Sequence, residues 1–196
     1  MPRPHRARHV ASIGGILLLL SACAGGSPPA TFDLTAPSEG VPGRPLHGQL
    51  VVSEPAASSP FDSDRIVVRT GPQSIALLKD TQWIDPLPRL VQSRLIQTFE
   101  NGHLLRAVGY PGQGIAGDHV LDSEIRRFDV DAVTGQATVE ISGKLIDADT
   151  GRIRAAQIFS AQAQGSAADG ASASAALNSA LGQVMKEIVA WAAAKV

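Results

Sequence analysis

The apolar run from Ile13 to Leu20 constrains this chain most, because it decides which residues belong to the folded protein at all. It follows Arg3, Arg6 and Arg8 and ends in Ser21-Ala22-Cys23. A short basic region, a short apolar region and then small residues form the pattern of a secretory signal. A membrane-spanning helix needs about 18 or more apolar residues. The stretch from Val10 to Ala22 is shorter, and Ser12, Gly14 and Gly15 interrupt it. A buried core helix directly behind three arginines is also a poor fit.

Leu20-Ser21-Ala22-Cys23 resembles a bacterial lipobox. That resemblance implies a diacylglyceryl group on the Cys23 thiol, cleavage before Cys23, and acylation (palmitate and similar chains) of its new amine. One acyl chain binds a membrane marginally, and two or more anchor stably. Ala24, rather than Asp, follows the Cys, which resembles the signal for transfer to the outer membrane in enteric bacteria. The expected division is a signal peptide over 1–22, a lipidated Cys and Pro/Gly/Ser-rich tether over 23–46, and a folded domain over 47–196. The expected location is the outer membrane, lipid-anchored and facing the periplasm.

Removing residues 1–22 from the 196 leaves 174, enough for one domain with a sizeable core. The signal carries three of the 17 Lys and Arg and no acid, so 14 basic against 18 acidic residues give the remainder a formal charge of −4. There is no basic excess to neutralise phosphates, so nucleic acid is not an expected partner. Cys23 is the one cysteine. With it lipidated, no disulfide and no thiolate metal or redox site remains. Aromatics are 4% of the chain, so the core rests on Leu, Ile, Val and Ala.

The proline-containing segment from Ala24 to Leu46 reads as an extended spacer, with Thr31-Phe32-Asp33-Leu34 as one alternating spot fit for a short edge strand. Gln49–Ser53, Arg65–Thr70 and Ser74–Leu78 read as strands between turn residues. Over Trp83–Gly102 the spacing predicts a helix. Asp85 is the expected cap, Pro86 takes the first helical position, and Leu87, Leu90, Val91, Leu95 and Phe99 share one face. Asn101-Gly102 is the expected stop. Leu104–Tyr110 reads as a strand. Val120–Asp131 changes inward parity between Ile125 and Phe128, which predicts a bulge near Arg126-Arg127. Ala137–Ile146 and Ile153–Gln164 complete an antiparallel meander around the turn 147–151. Ser172–Lys195 reads as a long Ala-rich helix with Leu177, Leu181, Val184, Ile188 and Trp191 on one face.

Several landmarks occur in a familiar order: the lipobox, Phe61-Asp62-Ser63-Asp64-Arg65-Ile66, Trp83-Ile84-Asp85-Pro86-Leu87-Pro88, Arg94-Leu95-Ile96, Arg106-Ala107-Val108-Gly109 and Glu187-Ile188-Val189-Ala190-Trp191. Together they resemble the ABC-type transport auxiliary lipoprotein family (the PqiC-like lipoproteins) from Phe32 to Trp191. The resemblance implies an α/β domain: a mixed, largely antiparallel sheet with two main helices packed on it, an anticodon-binding-like three-layer fold. It implies an MCE-domain protein and an inner-membrane ABC permease/ATPase system as partners. A homo-oligomer belongs to the expectation of a docking accessory, not to the resemblance. Trp83, Asp85, Pro86 and Trp191 stand out as structural or partner-contacting positions. Phe32 takes a place where the family often carries a Tyr pair.

Chemistry is sparse. Gly112-Gln113-Gly114-Ile115-Ala116-Gly117 matches G-x-G-x-x-G, but the next segment reads as a strand, whereas a dinucleotide site needs a helix N-terminus there. No G-x-x-x-x-G-K-[ST] and no G-x-S-x-G occur. His47, His103 and His119 are scattered and read as surface or turn residues. Asp62, Asp64, Asp118, Asp147 and Asp149 fit acidic turns better than a cation site. Arg126, Arg127, Arg152 and Arg154 make either a partner-facing patch or a solvated face. The expectation is a non-enzymatic transport accessory without cofactor or metal. A direct lipid carrier and an envelope structural or assembly lipoprotein are the alternatives.

Overall fold

The computed structural model describes residues 28–40, 47–114 and 116–196. The signal segment and Cys23 lie outside the described residues. The strands are β1 (Ala30–Phe32), β2 (Gln49–Val52), β3 (Ala56–Ala57), β4 (Val67–Gly71), β5 (Ser74–Leu77) and β6 (Thr81–Trp83). Helix α1 (Leu87–Gly102) follows, then β7 (Ala107–Gly109), β8 (His119–Asp131), β9 (Gln136–Asp147), β10 (Ile153–Gln164) and α2 (Gly170–Ala193).

The main sheet runs β10-β9-β8-β2-β7, with β3 and β4 also pairing β8, and β5 pairing β4. β8, β9 and β10 form the antiparallel meander, while β2, β3 and β4 join β8 in parallel. The expected bulge is present: the β8–β9 register shifts between Ile125 and Arg127. The extra residue turns Phe128 and Val130 inward beside Leu121 and Ile125, and all four are buried. The opposite face of β8–β10 is polar, carrying Asp122, Glu124, Glu140 and Lys144.

Both helices join the inward side of this sheet in one hydrophobic cluster. Helix α2 covers β8, β9 and β10, and α1 packs on β2, β7 and α2. Their buried faces are Leu87, Leu90, Val91, Leu95, Ile96 and Phe99 in α1, and Leu177, Leu181, Val184, Ile188 and Val189 in α2. Each such side chain contributes about 1.5–3 kcal/mol when fully buried. Asp169 caps α2, accepting from the N–H groups of Ala171 and Ser172. At Gly165 a Cβ would meet Ala176 Cβ at 2.6 Å, so glycine lets β10 turn tightly into α2.

The start of α1 differs from expectation. The cap residue is Pro86, with no side-chain cap hydrogen bond. Asp85 is exposed and instead stands 4.0 Å from Arg89. The first free helical N–H, on Leu87, donates to the Ser63 carbonyl at 2.9 Å, so backbone from the preceding loop does the work of a cap. At the other end, His103 rather than Gly102 takes the left-handed cap position, at φ 50°.

A larger difference concerns the spacer. Residues 30–40 do not stand away from the domain. β1 pairs in parallel with β6, matching Phe32 to Trp83. Leu34 is fully buried. Arg94 donates to the Leu34 carbonyl and forks onto the Asp33 carboxylate at 2.7 and 2.8 Å. Thr35 N–H donates to Asn178 Oδ1 at 2.7 Å, and Asn101 Nδ2 to the Pro37 carbonyl at 2.8 Å. This strap crosses from α1 to α2 and lies outside both, a thin layer over the helices. Proline content suggested extension, but one buried leucine and an arginine fork dock the segment.

Candidate functional site

The Trp83-to-Pro88 segment is where the motif residues gather, and local structure explains each of them. Trp83 ends β6 and is buried, its ring edge-on to Phe128 with centroids 6.0 Å apart. Its backbone N–H donates to the Asp64 carbonyl at 2.7 Å, and the next backbone N–H, on Ile84, donates to the Phe32 carbonyl at 2.8 Å, while the buried indole N–H has no protein partner. So the tryptophan is locked between β1, the 61–65 loop and β8. The chain then surfaces: Ile84 is 62% exposed, Asp85 is exposed and Pro86 half-buried. Pro88 lies in the first helical turn, where its missing N–H costs nothing.

Trp191 is placed elsewhere. It sits half-buried near the end of α2, edge-on to Phe159 of β10 with centroids 5.4 Å apart. Gly143 of β9 makes room for both rings: atoms of Phe159 and Trp191 stand 3.4 and 3.8 Å from where its Cβ would be. The two tryptophans therefore anchor separate aromatic pairs, one for β6 and one for the end of α2.

The arginines of the open sheet face are largely neutralised. Arg126 pairs with Glu140 at 2.9 Å and Arg154 with Asp147 at 3.0 Å. Arg127 and Arg69 converge on Asp129, whose side chain is fully buried. Arg127 reaches it through Nε at 3.0 Å and Nη2 at 2.9 Å, and Arg69 through Nε at 3.3 Å and Nη2 at 3.0 Å. The bond to Asp129 is the main cause that raises the Arg127 pKa above its usual range. This carboxylate clamps β4 onto β8, a role with no signal in sequence spacing.

The turn aspartates have structural partners. Asp131 accepts from the N–H groups of Thr134 and Val133, and its pKa is lowered, chiefly by Thr134. Asp147 accepts from the Thr150 hydroxyl at 2.7 Å and its N–H at 3.0 Å. With Arg154, these lower its pKa to about 2. Asp118 accepts from the Gln49 N–H at 2.8 Å and so pins β2 to the start of β8. Among the described residues no three His, Cys, Asp or Glu side chains group as metal ligands.

His119 departs from the surface reading. It opens β8 opposite Leu50 and Asp147, is 8% exposed, and neither ring nitrogen has a protein partner. His47 and His103 are exposed. In the glycine-rich loop, Gly112 and Gly114 take φ 80° and 73°, and the chain enters β8 at His119 with no helix to receive a phosphate. Two surface depressions, about 420 and 400 Å³, flank the strap and are lined by polar residues including Arg94, Asn101, Asn178 and Lys186. Among the described residues no helix is long and apolar enough to cross a membrane.

Comparison with known proteins adds a family. The model of the ABC-type transport auxiliary lipoprotein component matches residues 31–189. Its first residue falls in β1, in keeping with a domain that begins at the strap. An uncharacterized protein of Bradyrhizobium diazoefficiens is 30% identical over 191 residues, covering 94% of this chain and 51% of the relative. The chain thus spans about half the length of the curated relative it matches. The crystal structure of a Xanthomonas campestris protein under the DUF330 family model superposes with a TM-score of 0.78. It is 28% identical and covers 85% of this chain and 96% of its own. A hypothetical protein of Chlamydia trachomatis shares the fold alone: TM-score 0.53, 10% identity, with 76% and 98% covered.

Proposed function

This chain belongs to the ABC-type transport auxiliary lipoprotein family, and from that premise we propose that it is a non-catalytic accessory of an MCE/ABC-type system. That system would move lipids or other hydrophobic solutes between membranes. In this reading Cys23 carries the lipid, the anchor sits in the outer membrane, and the domain faces the periplasm as a homo-oligomer. There it docks or braces an MCE-domain protein served by an inner-membrane ABC permease and ATPase.

The observation that carries the reading is the family match from 31 to 189, directly downstream of Leu20-Ser21-Ala22-Cys23. The polar groups of the domain are consistent with it. Asp131 and Asp147 are engaged in turns, Asp118 pins β2 to β8, Asp129 holds Arg69 and Arg127 in a strand clamp, and Arg94 holds the strap, which is how a scaffold uses such groups. A direct lipid carrier would have to open the space between sheet and helices, where Leu121, Leu145, Leu177, Leu181 and Val184 have no exposed surface.

The test is affinity capture of the tagged full chain from its own envelope, followed by identification of bound proteins. An MCE-domain protein should be enriched well above a lipoprotein control. Recovery of no MCE protein from cells that express the transport system refutes the docking role.

A further inference from the structure

We propose that the end of the domain carrying β5 and the β8–β9 turn rests on the lipid surface that holds Cys23, with Ile75, Leu77 and Val133 as the side chains that meet it. The proposal rests on the lipid anchor of the reading above and on no other part of it.

The docked strap leaves a short tether. Ala30 is fixed by its N–H, which donates to the Asp80 carbonyl at 2.9 Å, and from Cys23 to Ala30 is seven residues. At about 3.3–3.6 Å per residue that chain reaches about 25 Å at most. The attachment point also defines one end of the domain. Atoms of Thr81 and Phe32 stand 2.6 and 3.1 Å from where a Cβ of Gly170 would be, so α2 begins there. The Gly165 N–H donates to the Gly135 carbonyl at 3.0 Å, and the Ala132 N–H to the Arg69 carbonyl at 2.9 Å. These bonds bring the β8–β9 turn and the β4–β5 hairpin to the same end. The 13 residues of β8 run from here to the opposite end, about 40 Å away. There the 147–151 turn meets the starts of β8 and β2: the Ala148 N–H donates to the Asp118 carbonyl, and the Asp118 N–H to that of Gln49. With that far end against the bilayer, Ala30 would stand beyond the tether's reach.

Side chains at the tether end suit a lipid contact. No residue of β5 is buried, and Ile75 and Leu77, two apart, share one face at 42% and 49% exposed. Leu77 is three residues from Asp80, where the tether docks. Ile75 lies opposite Arg69 and so, across β4, in line with Asp131, two residues before Val133. Val133 is 89% exposed in its turn. Single exposed aliphatics are ordinary, but these three collect at the end that an acylated residue ties to a membrane. The exposed charges beside Leu77 are one of each sign, Lys79 and Asp80, 3.9 Å apart. The contact therefore draws on apolar side chains rather than on attraction to anionic headgroups. Weak affinity is enough, because the anchor holds these side chains at high effective concentration over the bilayer.

Fluorescence quenching from the lipid tests this. The full chain, processed and acylated in the cell, is reconstituted in vesicles of phosphatidylethanolamine and phosphatidylglycerol, a fraction of whose lipids carry a nitroxide near the headgroup end of the acyl chain. With the native thiol acylated, Ile75→Cys, Leu77→Cys, Val133→Cys and Asp149→Cys each supply one site for a thiol-reactive fluorophore. Asp149 is exposed in the 147–151 turn at the far end. Apolar groups at an interface enter the headgroup–acyl boundary by about 5–10 Å, so the first three labels should be quenched at least about threefold more than the Asp149 label. Equal quenching at all four sites, or none at Ile75 and Leu77, in vesicle-bound chain overturns the proposal. Adding Ile75→Glu and Leu77→Glu together should cut quenching of the Val133 label by about half, since charges are costly in that boundary. Unchanged quenching there, with an unchanged circular dichroism spectrum, overturns the apolar contact as well. A chain that does not float with the vesicles removes the lipid anchor and this proposal with it; a vesicle-bound chain whose labels are not quenched removes the proposed surface alone.

Discussion

Replacing Asp129 by Ala should be among the most damaging changes outside the hydrophobic core. The carboxylate is fully buried and receives four hydrogen bonds, two from Arg69 and two from Arg127. Removing one member of a buried charge pair costs about 3–5 kcal/mol, because the other is left uncompensated. Here the two arginine side chains are 24% and 34% exposed, so water screens part of their mutual repulsion. The expected loss is therefore about 2–4 kcal/mol for Asp129→Ala. Arg69→Ala or Arg127→Ala alone leaves one fork in place and should cost about 1 kcal/mol each. The double arginine variant strands the buried carboxylate and should lose more than the two singles together. Urea unfolding of residues 24–196 measures these differences, and Trp83 beside Phe128 supplies the fluorescence signal. An Asp129→Ala protein within about 0.5 kcal/mol of the parent, or strict additivity of the two arginines, refutes the clamp.

Leu34→Ala should destabilise by about 2–4 kcal/mol and abolish hydrogen-exchange protection over residues 30–37. Unchanged exchange there would mean that the strap is not held by its leucine. Gly135→Ala should cost more than about 2 kcal/mol, since Gly135 has φ 72° and a Cβ would strike the Gly165 carbonyl. Gly151→Ala, at φ 68° with open space around it, should cost only about 1 kcal/mol in the same thermal melts. The Asp147 pKa is depressed from 3.8 to about 2 by the Thr150 hydroxyl and N–H and by Arg154. Its contribution is thus present above its ordinary value and lost as pH falls from about 4 to about 2. Urea midpoints across that range should fall less steeply in Asp147→Asn than in the parent. Equal slopes would contradict the assignment.

The parts of the fold that follow from local periodicity were readable in the sequence. The faces of α1 and α2 follow the 3.6-residue spacing, and the parity change between Ile125 and Phe128 marks the bulge. The turn at 147–151 follows from Asp and Gly. Long-range backbone pairing was not readable. Nothing local in Ser63 announces that its carbonyl will cap α1 in place of the Asp85 side chain. Thr81–Trp83 carries too few residues to declare β6, whose existence depends on β1 lying beside it. The docked strap is not legible locally, because Pro28, Pro29 and Pro37 suggest extension while its docking depends on Arg94, some 60 positions away in the chain. His119 reads as a surface or turn residue in the sequence because its burial comes from β2 and β9 on either side, not from its sequence neighbours.

The candidate site divides in the same way. Trp83 and Trp191 stand out by residue type, and the structure gives each an aromatic partner that sequence spacing does not indicate. Asp129 has no motif around it, and its importance comes from Arg69 on a separate strand. The order of landmarks from Phe61 to Trp191 carries the family resemblance, and the family match from 31 to 189 encloses nearly all of it.

The most direct test of the central claim returns to Cys23. The full chain and its Cys23→Ser variant are expressed in the native envelope, fractionated, and assayed for rescue of transport in a strain lacking the gene. The account predicts that the parent fractionates with the outer membrane. The variant should leave the membrane fraction, with the domain still folded by limited proteolysis and transport lost. A Cys23→Ser chain that stays on the membrane and restores full transport would contradict it.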